Sequence, residues 1–364
     1  MRKSTIIIAG GGTGGHLFPG VAVAETLCRL DPSWRIIFTI SGSRENRHLK
    51  PYQLEVVRIS SAPFYRGLAP RIFASLVITF LGLIQSLALI MRVRPEVVVG
   101  MGGYVAGPVI LAAYLRGVPS IICEQNAVPG LTNRLLARLA DIVAVSFEDT
   151  PIKSKARLVV TGNPIREECR PLSKGKARAR LGISRSKPVI LVMGGSQGAH
   201  RINQAVIRAF EMGFGRRYRF ILQTGEADFS AVKEAVDRAG ISALVRPFYE
   251  RMGAIYGAAD LALTRSGGGT FELLACGIPL ILVPYPYAAG GHQTANALYW
   301  QRGGAAVVVK DREFDGERFA KLIDDLMADK GRLKRMAKSS RRMAHPHAAG
   351  VVAQLALELA GGEK

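Results

Sequence analysis

Short, unbroken apolar runs recur along the chain, and between them lie longer stretches whose apolar positions repeat at helical spacing. Runs at 6–8, 35–40, 97–99, 120–123, 142–145 and 158–160 read as strands. A second series follows at 189–193, 220–223, 244–246, 261–263, 280–283 and 306–309. Strands alternating with helices in this way build a parallel sheet with helices on both faces, so the fold class is α/β. Between the two series, residues 161–188 hold Asn163-Pro164, Pro171 and a basic run at 174–180, a composition that marks a linker and the entry to a new domain. The halves also resemble each other. Gly11-Gly12-Thr13-Gly14-Gly15-His16 follows the first strand of one, and Gly194-Gly195-Ser196-Gln197-Gly198-Ala199-His200 follows the first strand of the other. Two Rossmann-like domains with parallel sheets facing across a cleft are the expectation, divided at 163/164.

Composition narrows the class. A chain of 364 residues accommodates two domains of about 100–200 residues each. Its 48% hydrophobic and 21% charged residues exclude disorder as the dominant state. Cys28, Cys123, Cys169 and Cys276 form no CxxC pair, so neither a zinc knuckle nor a redox pair is expected, and four reduced thiols fit a cytosolic protein. The net charge of +21 favours polyanions: nucleic acid, anionic lipid head groups or phosphorylated substrates. The densest basic stretch, 174–185, has no aromatic residue for base stacking, and no nucleic-acid partner is expected. The first apolar run is too short for a signal peptide. Residues 72–91 carry no charge and by length are a transmembrane candidate. Ser75, Thr79, Gly82 and Ser86 nevertheless form a small, weakly polar stripe suited to close packing on a sheet, and the flanking strands need this segment as their crossover. A helix of a soluble domain is therefore expected.

Candidate chemistry concentrates where strands end. Four strands run into glycine-rich turns, at 10–15, 100–107, 194–199 and 266–270, each opening a helix. Glycine lets a ligand approach main-chain amides, and a helix N-terminus offers unpaired N–H groups to phosphate. Four such turns at strand carboxyl ends point to a pyrophosphate or phosphate ligand. The first turn formally fits GxGxxG, but the second strand ends in Ser41-Gly42-Ser43-Arg44 rather than in a ribose-binding acid, which argues against NAD. No Walker pattern and no Asp-x-Asp occurs, so binding by amides and basic residues, with no metal and no cofactor, is expected. His16, just after the first turn, is either a proton acceptor or a helix cap. Glu124-Gln125-Asn126 ends a buried strand, and three consecutive polar side chains there suggest site contact. Arg166 could pair with a diphosphate. Glu272 could bind ribose hydroxyls or cap its helix. His292, Gln293 and Asn296 could grip sugar hydroxyls.

Taken together, 9–20 (AGGGTGGHLFPG), 100–107 (GMGGYVAG), 124–126 (EQN), 162–166 (GNPIR), 194–199 (GGSQGA) and 292–297 (HQTANA) resemble the MurG family over about the whole chain and in family order. The resemblance implies a GT-B fold. Residues 1–163 would form an acceptor and membrane-association domain, 164–340 a UDP-sugar domain, and 341–364 a C-terminal helix crossing back to the first. It implies an inverting transfer of N-acetylglucosamine from UDP-N-acetylglucosamine to the 4-hydroxyl of N-acetylmuramic acid in lipid I, giving lipid II for peptidoglycan synthesis. Thr13, Gly14, Gly15, Asn126, Arg166, Ser196, Tyr249, Gly268, Gly269, Thr270, Glu272 and Gln293 would line the donor site. Tyr249 would lie by the uracil, Glu272 by the ribose, and Ser196 with 268–270 by the diphosphate. His16 would be the base, and Gly102, Gly103 and Tyr104 would face the acceptor. One departure stands out: only Phe271 separates Thr270 from Glu272, where the family usually has two residues, and a one-residue deletion turns a helical side chain by about 100°.

The same resemblance places the protein peripherally on the cytoplasmic face of the cell membrane, with cell-wall synthesis and division proteins as partners. Ile72, Phe73, Leu76, Val77 and Phe80 would form an apolar membrane patch, ringed by Arg66, Arg71, Arg92, Arg94 and Arg116 on an anionic surface. The alternative for these apolar residues is burial in the core. Two rivals are a transferase glycosylating diacylglycerol, which GMGGYVAG argues against, and a non-catalytic membrane or nucleic-acid binder, which leaves the four glycine turns unexplained.

Overall fold

The computed structural model describes residues 4–12, 14–42, 49–63, 69–184, 186–195 and 198–361. Thr13, Arg44, Arg66 and Ser196, and the side chain of Arg71, lie outside what is described. The chain divides into two compact units, Met1–Arg166 with His345–Lys364, and Glu167–Ala344.

The first unit holds seven parallel strands: β1 (Thr5–Ala9), β2 (Arg35–Ile40), β3 (Glu55–Arg58), β4 (Val97–Gly100), β5 (Ser120–Glu124), β6 (Ile142–Val145) and β7 (Arg157–Val160). Their order is β3-β2-β1-β4-β5-β6-β7. Central strands such as β1 and β4 are buried along their whole length, which is why they read as continuous apolar runs. The edge strand β3 escapes that pattern. Its two valines sit between Glu55 and Arg58 and are only half-buried, so it carries no run long enough to detect. Helices α1 (Gly14–Leu30), α2 (Ala69–Val93), α3 (Ala106–Leu115) and α4 (Leu131–Leu136) connect the strands.

The second unit repeats the plan with β8 (Val189–Met193), β9 (Arg219–Gln223), β10 (Ala243–Arg246), β11 (Leu261–Thr264), β12 (Leu280–Leu282) and β13 (Ala306–Val308), ordered β10-β9-β8-β11-β12-β13 and all parallel. Its helices are α5 (Lys174–Arg180), α6 (His200–Glu211), α7 (Phe229–Ala239), α8 (Met252–Ala258), α9 (Gly269–Ala275), α10 (His292–Arg302), α11 (Gly316–Ala328) and α12 (Lys330–Met343). The last helix, α13 (Ala348–Gly361), belongs to the first unit and buries Val352, Ala353, Leu355 and Ala356 in the core beneath α1. An aromatic cluster, in which Phe220 meets Phe210 edge-on at 5.0 Å and stacks on Phe319 at 6.3 Å, fills one face of the second sheet.

Both sheets reverse their winding next to their first strand: between β1 and β4 in one unit, and between β8 and β11 in the other. The four glycine turns follow these four strands. Each pair therefore flanks a topological switch point, where open α/β sheets bind ligands.

The uncharged segment 72–91 lies within α2. Its Ser75–Gly82–Ser86 stripe is buried as expected, but it packs on α3 and the 60–63 loop rather than on the sheet. Ser75 Oγ donates to Pro63 O at 3.0 Å and Ser86 Oγ to Gly82 O at 2.7 Å. Leu89, Ile90 and Val93, at the C-terminal end, are buried in the core, and Leu83 and Leu87 pack against it. A Cβ on Gly82 would stand 2.0 Å from Ser60 O. Gly82→Ala should therefore cost about 1–3 kcal/mol, the usual price of overpacking, and calorimetry should show the midpoint of unfolding lowered by several degrees.

Candidate active site

In the first unit the carboxyl ends of β1, β4 and β5 converge on His16. Gly14 and Gly15 open α1, and His16 is its third residue. His16 Nδ1 lies 3.0 Å from Met101 O and 3.1 Å from Gln125 Oε1. Gln125 Nε2 donates to the same Met101 carbonyl at 2.7 Å, which fixes the oxygen of its amide as the end facing the ring. Both neighbours of Nδ1 are thus acceptors. Nδ1 carries the proton, and in the neutral ring Nε2 keeps its lone pair. The Gly102-Gly103 turn closes over the imidazole. Gly103 has φ +74°, and a Cβ there would meet Gly11 O at 2.3 Å, so only glycine fits. Tyr104 is exposed and its ring borders Gly12.

In the 124–126 cluster, Glu124 and Gln125 are buried, at 2% and 4% exposure, and Asn126 is half-buried. Glu124 Oε1 accepts from the amide and side chain of Asn126, at 2.9 and 3.2 Å. Its Oε2 accepts from Gly130 N and Asn133 Nδ2, at 3.0 and 2.9 Å. This carboxylate organises the loop after β5, and the loop presents Asn126. Gln125 orients His16, a role that no spacing in the chain reveals.

Arg166 belongs to the first unit and is buried. Its guanidinium lies over the Phe18 ring, 4.1 Å from the centroid, and Nη1 donates to Tyr52 Oη at 3.2 Å.

In the second unit the turn after β8 leads into α6. Gly198 has φ +82°, and a Cβ there would strike Thr224 O at 2.3 Å. Gln223, buried at the end of β9, joins this turn to the loop after β10: its Nε2 donates to Gly195 O at 3.2 Å and its Oε1 accepts from Tyr249 N at 3.1 Å. The sequence reading overlooked Gln223, although a lone amide at the end of an apolar strand was the available signal. Gln223 holds the Gly195 carbonyl inward, away from any anion at the turn.

After β11, Gly268 and Gly269 start α9 and remain accessible. Thr270 departs from its expected role: its side chain is fully buried, with Oγ1 donating to Arg265 O at 3.3 Å and its amide to Gly267 O at 3.1 Å. Tyr249 is also buried. Its hydroxyl donates to Leu244 O at 3.1 Å, and burial pushes the phenol up to about 12, so it acts as a wall of the loop rather than as a polar contact. Glu272 is half-buried, and its Oε2 accepts from Tyr256 Oη at 2.5 Å. Burial, reinforced by the Glu272 carboxylate, drives the Tyr256 phenol well above its ordinary range, so it stays a donor. Gln293 opens onto the same turn. Its backbone carbonyl accepts from Ser266 Oγ at 2.7 Å and its Oε1 from Tyr285 N at 2.9 Å, leaving Nε2 to reach outward. Asn296 Nδ2 donates to Ser266 O at 3.2 Å, so it ties α10 to the glycine turn instead of facing a ligand.

The expected apolar patch is exposed. Ile72, Phe73, Leu76, Val77 and Phe80 all stand open on α2, Phe73 at 71% and Phe80 at 61%. Arg92, Arg94 and Arg116 are exposed near the C-terminal ends of α2 and α3.

Known proteins point the same way. The family described as glycosyltransferase family 28 N-terminal domain matches residues 6–145, and the glycosyltransferase family 28 C-terminal domain matches 189–352. A protein of Halothermothrix orenii named UDP-N-acetylglucosamine--N-acetylmuramyl-(pentapeptide) pyrophosphoryl-undecaprenol N-acetylglucosamine transferase is 40% identical, the match covering 98% of this chain and 99% of that one. A protein of the same name from Desulforudis audaxviator is also 40% identical, over 98% of each. Among solved structures, MurG of Acinetobacter baumannii superposes with a TM-score of 0.76 at 29% identity, covering 98% of this chain and 99% of that one. The calicheamicin glycosyltransferase CalG4, at TM-score 0.70 and 15% identity, shares the fold. With near full-length identity to these transferases and a GT-B architecture, the chain belongs to the MurG family within glycosyltransferase family 28.

Proposed function

We propose that the protein transfers N-acetylglucosamine from UDP-N-acetylglucosamine to the 4-hydroxyl of N-acetylmuramic acid in lipid I, producing lipid II for peptidoglycan synthesis. The observation that carries this reading is the bare Nε2 of His16, at the switch point of a family-28 N-terminal domain. Nε2 takes the proton of the acceptor hydroxyl as its oxygen attacks the anomeric carbon. The bond from that carbon to the β-phosphate oxygen breaks, the configuration inverts, and UDP leaves. The transition state has oxocarbenium character, as in glycoside cleavage.

In this reading the first unit takes the acceptor, with Gly102, Gly103 and Tyr104 facing it, and Thr13, Gly14, Gly15 and Asn126 at the border with the donor. The second unit holds the nucleotide sugar. The turn at 194–198, including Ser196, and the amides of Gly268 and Gly269 receive the diphosphate. Glu272 accepts from the ribose hydroxyls while Tyr256 steadies its other oxygen, and Gln293 Nε2 donates to the sugar. Arg166 offsets charge on the leaving diphosphate. The exposed apolar face of α2, with basic residues beside it, supports peripheral association with the cytoplasmic leaflet where the lipid-linked acceptor resides.

Transfer of labelled N-acetylglucosamine to a lipid I analogue tests the proposal. Product should form in wild type and persist in EDTA; absence of product would refute the reading. His16→Ala should lower kcat about 10²–10⁴-fold, the usual contribution of a general base, while calorimetric affinity for UDP stays within a factor of two or so. Replacing Phe73 and Phe80 together by serine should weaken binding to lipid vesicles by tenfold or more, given roughly 1.5–3 kcal/mol for each apolar side chain buried, and leave turnover of a water-soluble acceptor unchanged.

A further inference from the structure

Among the described helices of the second unit, α12 carries the most cations, and, unlike α5, where Lys174 and Arg178 pair with Asp260, it has no acidic partner. Its fourteen residues include seven cations and no acid. All seven are exposed, and none forms an ion pair among the described residues. Elsewhere the same unit neutralises its helical surfaces: α7 pairs Lys233 with Asp237 and Glu234 with Arg238, and α11 pairs Lys321 with Asp325. The acids of α11 nearest to α12 are already engaged. Asp324 accepts from Arg217 and Tyr218, and Asp325 from Lys321. Asp329, between the helices, caps α12 by accepting from Arg332 N at 2.7 Å. A third of the net +21 therefore sits on one helix without counter-charge, at a cost in self-repulsion.

The placement of these charges is directional. Met336 enters the hydrophobic core, and Ser340 Oγ donates to Ile278 O at 2.9 Å, so these two mark the inward stripe. At about 100° per residue, Lys330, Lys334, Arg335 and Lys338 fall within an arc of roughly 140° centred opposite that stripe, whereas Arg341 lies against Gly277 and Arg342 donates to Gly303 O at 3.2 Å. Over a length of about 12 Å the first four form a convex cationic strip without aromatic side chain. Such a strip cannot enclose a single phosphate or stack on bases. It matches many anions spread over a surface.

We propose that the outer face of α12 is an electrostatic docking surface for anionic phospholipid head groups. The inference rests on the reading of the protein as a transferase working on a lipid-linked acceptor, and it adds a contact distinct in chemistry from α2. The α2 face offers apolar insertion that tolerates salt; the α12 face offers charge alone, which salt screens.

The test uses the full-length protein and vesicles of phosphatidylcholine with and without phosphatidylglycerol, over a range of salt. In the variant Lys330→Gln, Lys334→Gln, Arg335→Gln, Lys338→Gln, affinity for phosphatidylglycerol vesicles should fall about tenfold or more at low salt, with a shallower salt dependence. Binding to pure phosphatidylcholine should be unchanged. Turnover of a water-soluble acceptor analogue should also be unchanged, which reports that the variant is folded. Undiminished affinity for phosphatidylglycerol vesicles would overturn the proposal, as would wild-type preference for single-stranded RNA over those vesicles that the same variant abolishes. A wild type that binds phosphatidylglycerol through α12 but transfers no sugar would refute the functional reading and leave the docking surface standing.

Discussion

The Nδ1 proton of His16 has two acceptors and no alternative. Met101 O and Gln125 Oε1 face it from the ends of β4 and β5, and Gln125 cannot turn its amide without losing its own bond to Met101 O. A histidine held this way has its tautomer chosen before any substrate arrives, and Nε2 is the atom left for chemistry. The cost of that order is met by the fold. Parallel strands buried on both faces deliver Met101 and Gln125 to fixed heights at one sheet edge, and glycine at 102 and 103 lets the main chain close on the ring.

The second unit uses the same sheet plan for a different end. Gln223 draws in the Gly195 carbonyl, and Ser266 and Asn296 lock the turn after β11 to α10. The two units thus repeat one topology with different residues at the switch point.

Much of this was legible in the amino-acid sequence, because the strongest signals are local. Apolar runs mark strands buried on both faces, and glycine clusters mark where they end. The motifs at 9–20, 100–107 and 194–199 suffice to place His16, the Gly102-Gly103 turn beside it and the glycine turn after β8. What escaped detection depends on long-range partners. The edge strand β3 has too little apolar surface to register. That Glu124 is held by Asn133, and that Gln125 reaches both Met101 O and His16, depends on partners distant in the chain. Thr270 resembles a phosphate ligand by motif, yet its hydroxyl turns inward to Arg265 O. The stripe on α2 was visible, but its partner, α3, was not deducible from periodicity.

The tautomer of His16 can be read directly by long-range proton–nitrogen correlation NMR on protein labelled with nitrogen-15, at a pH where the ring is neutral, with the signal assigned through its absence in His16→Gln. The account predicts a protonated Nδ1 and an unprotonated Nε2. A protonated Nε2 with a bare Nδ1 would contradict it, because the ring nitrogen assigned to accept the substrate proton would already hold one.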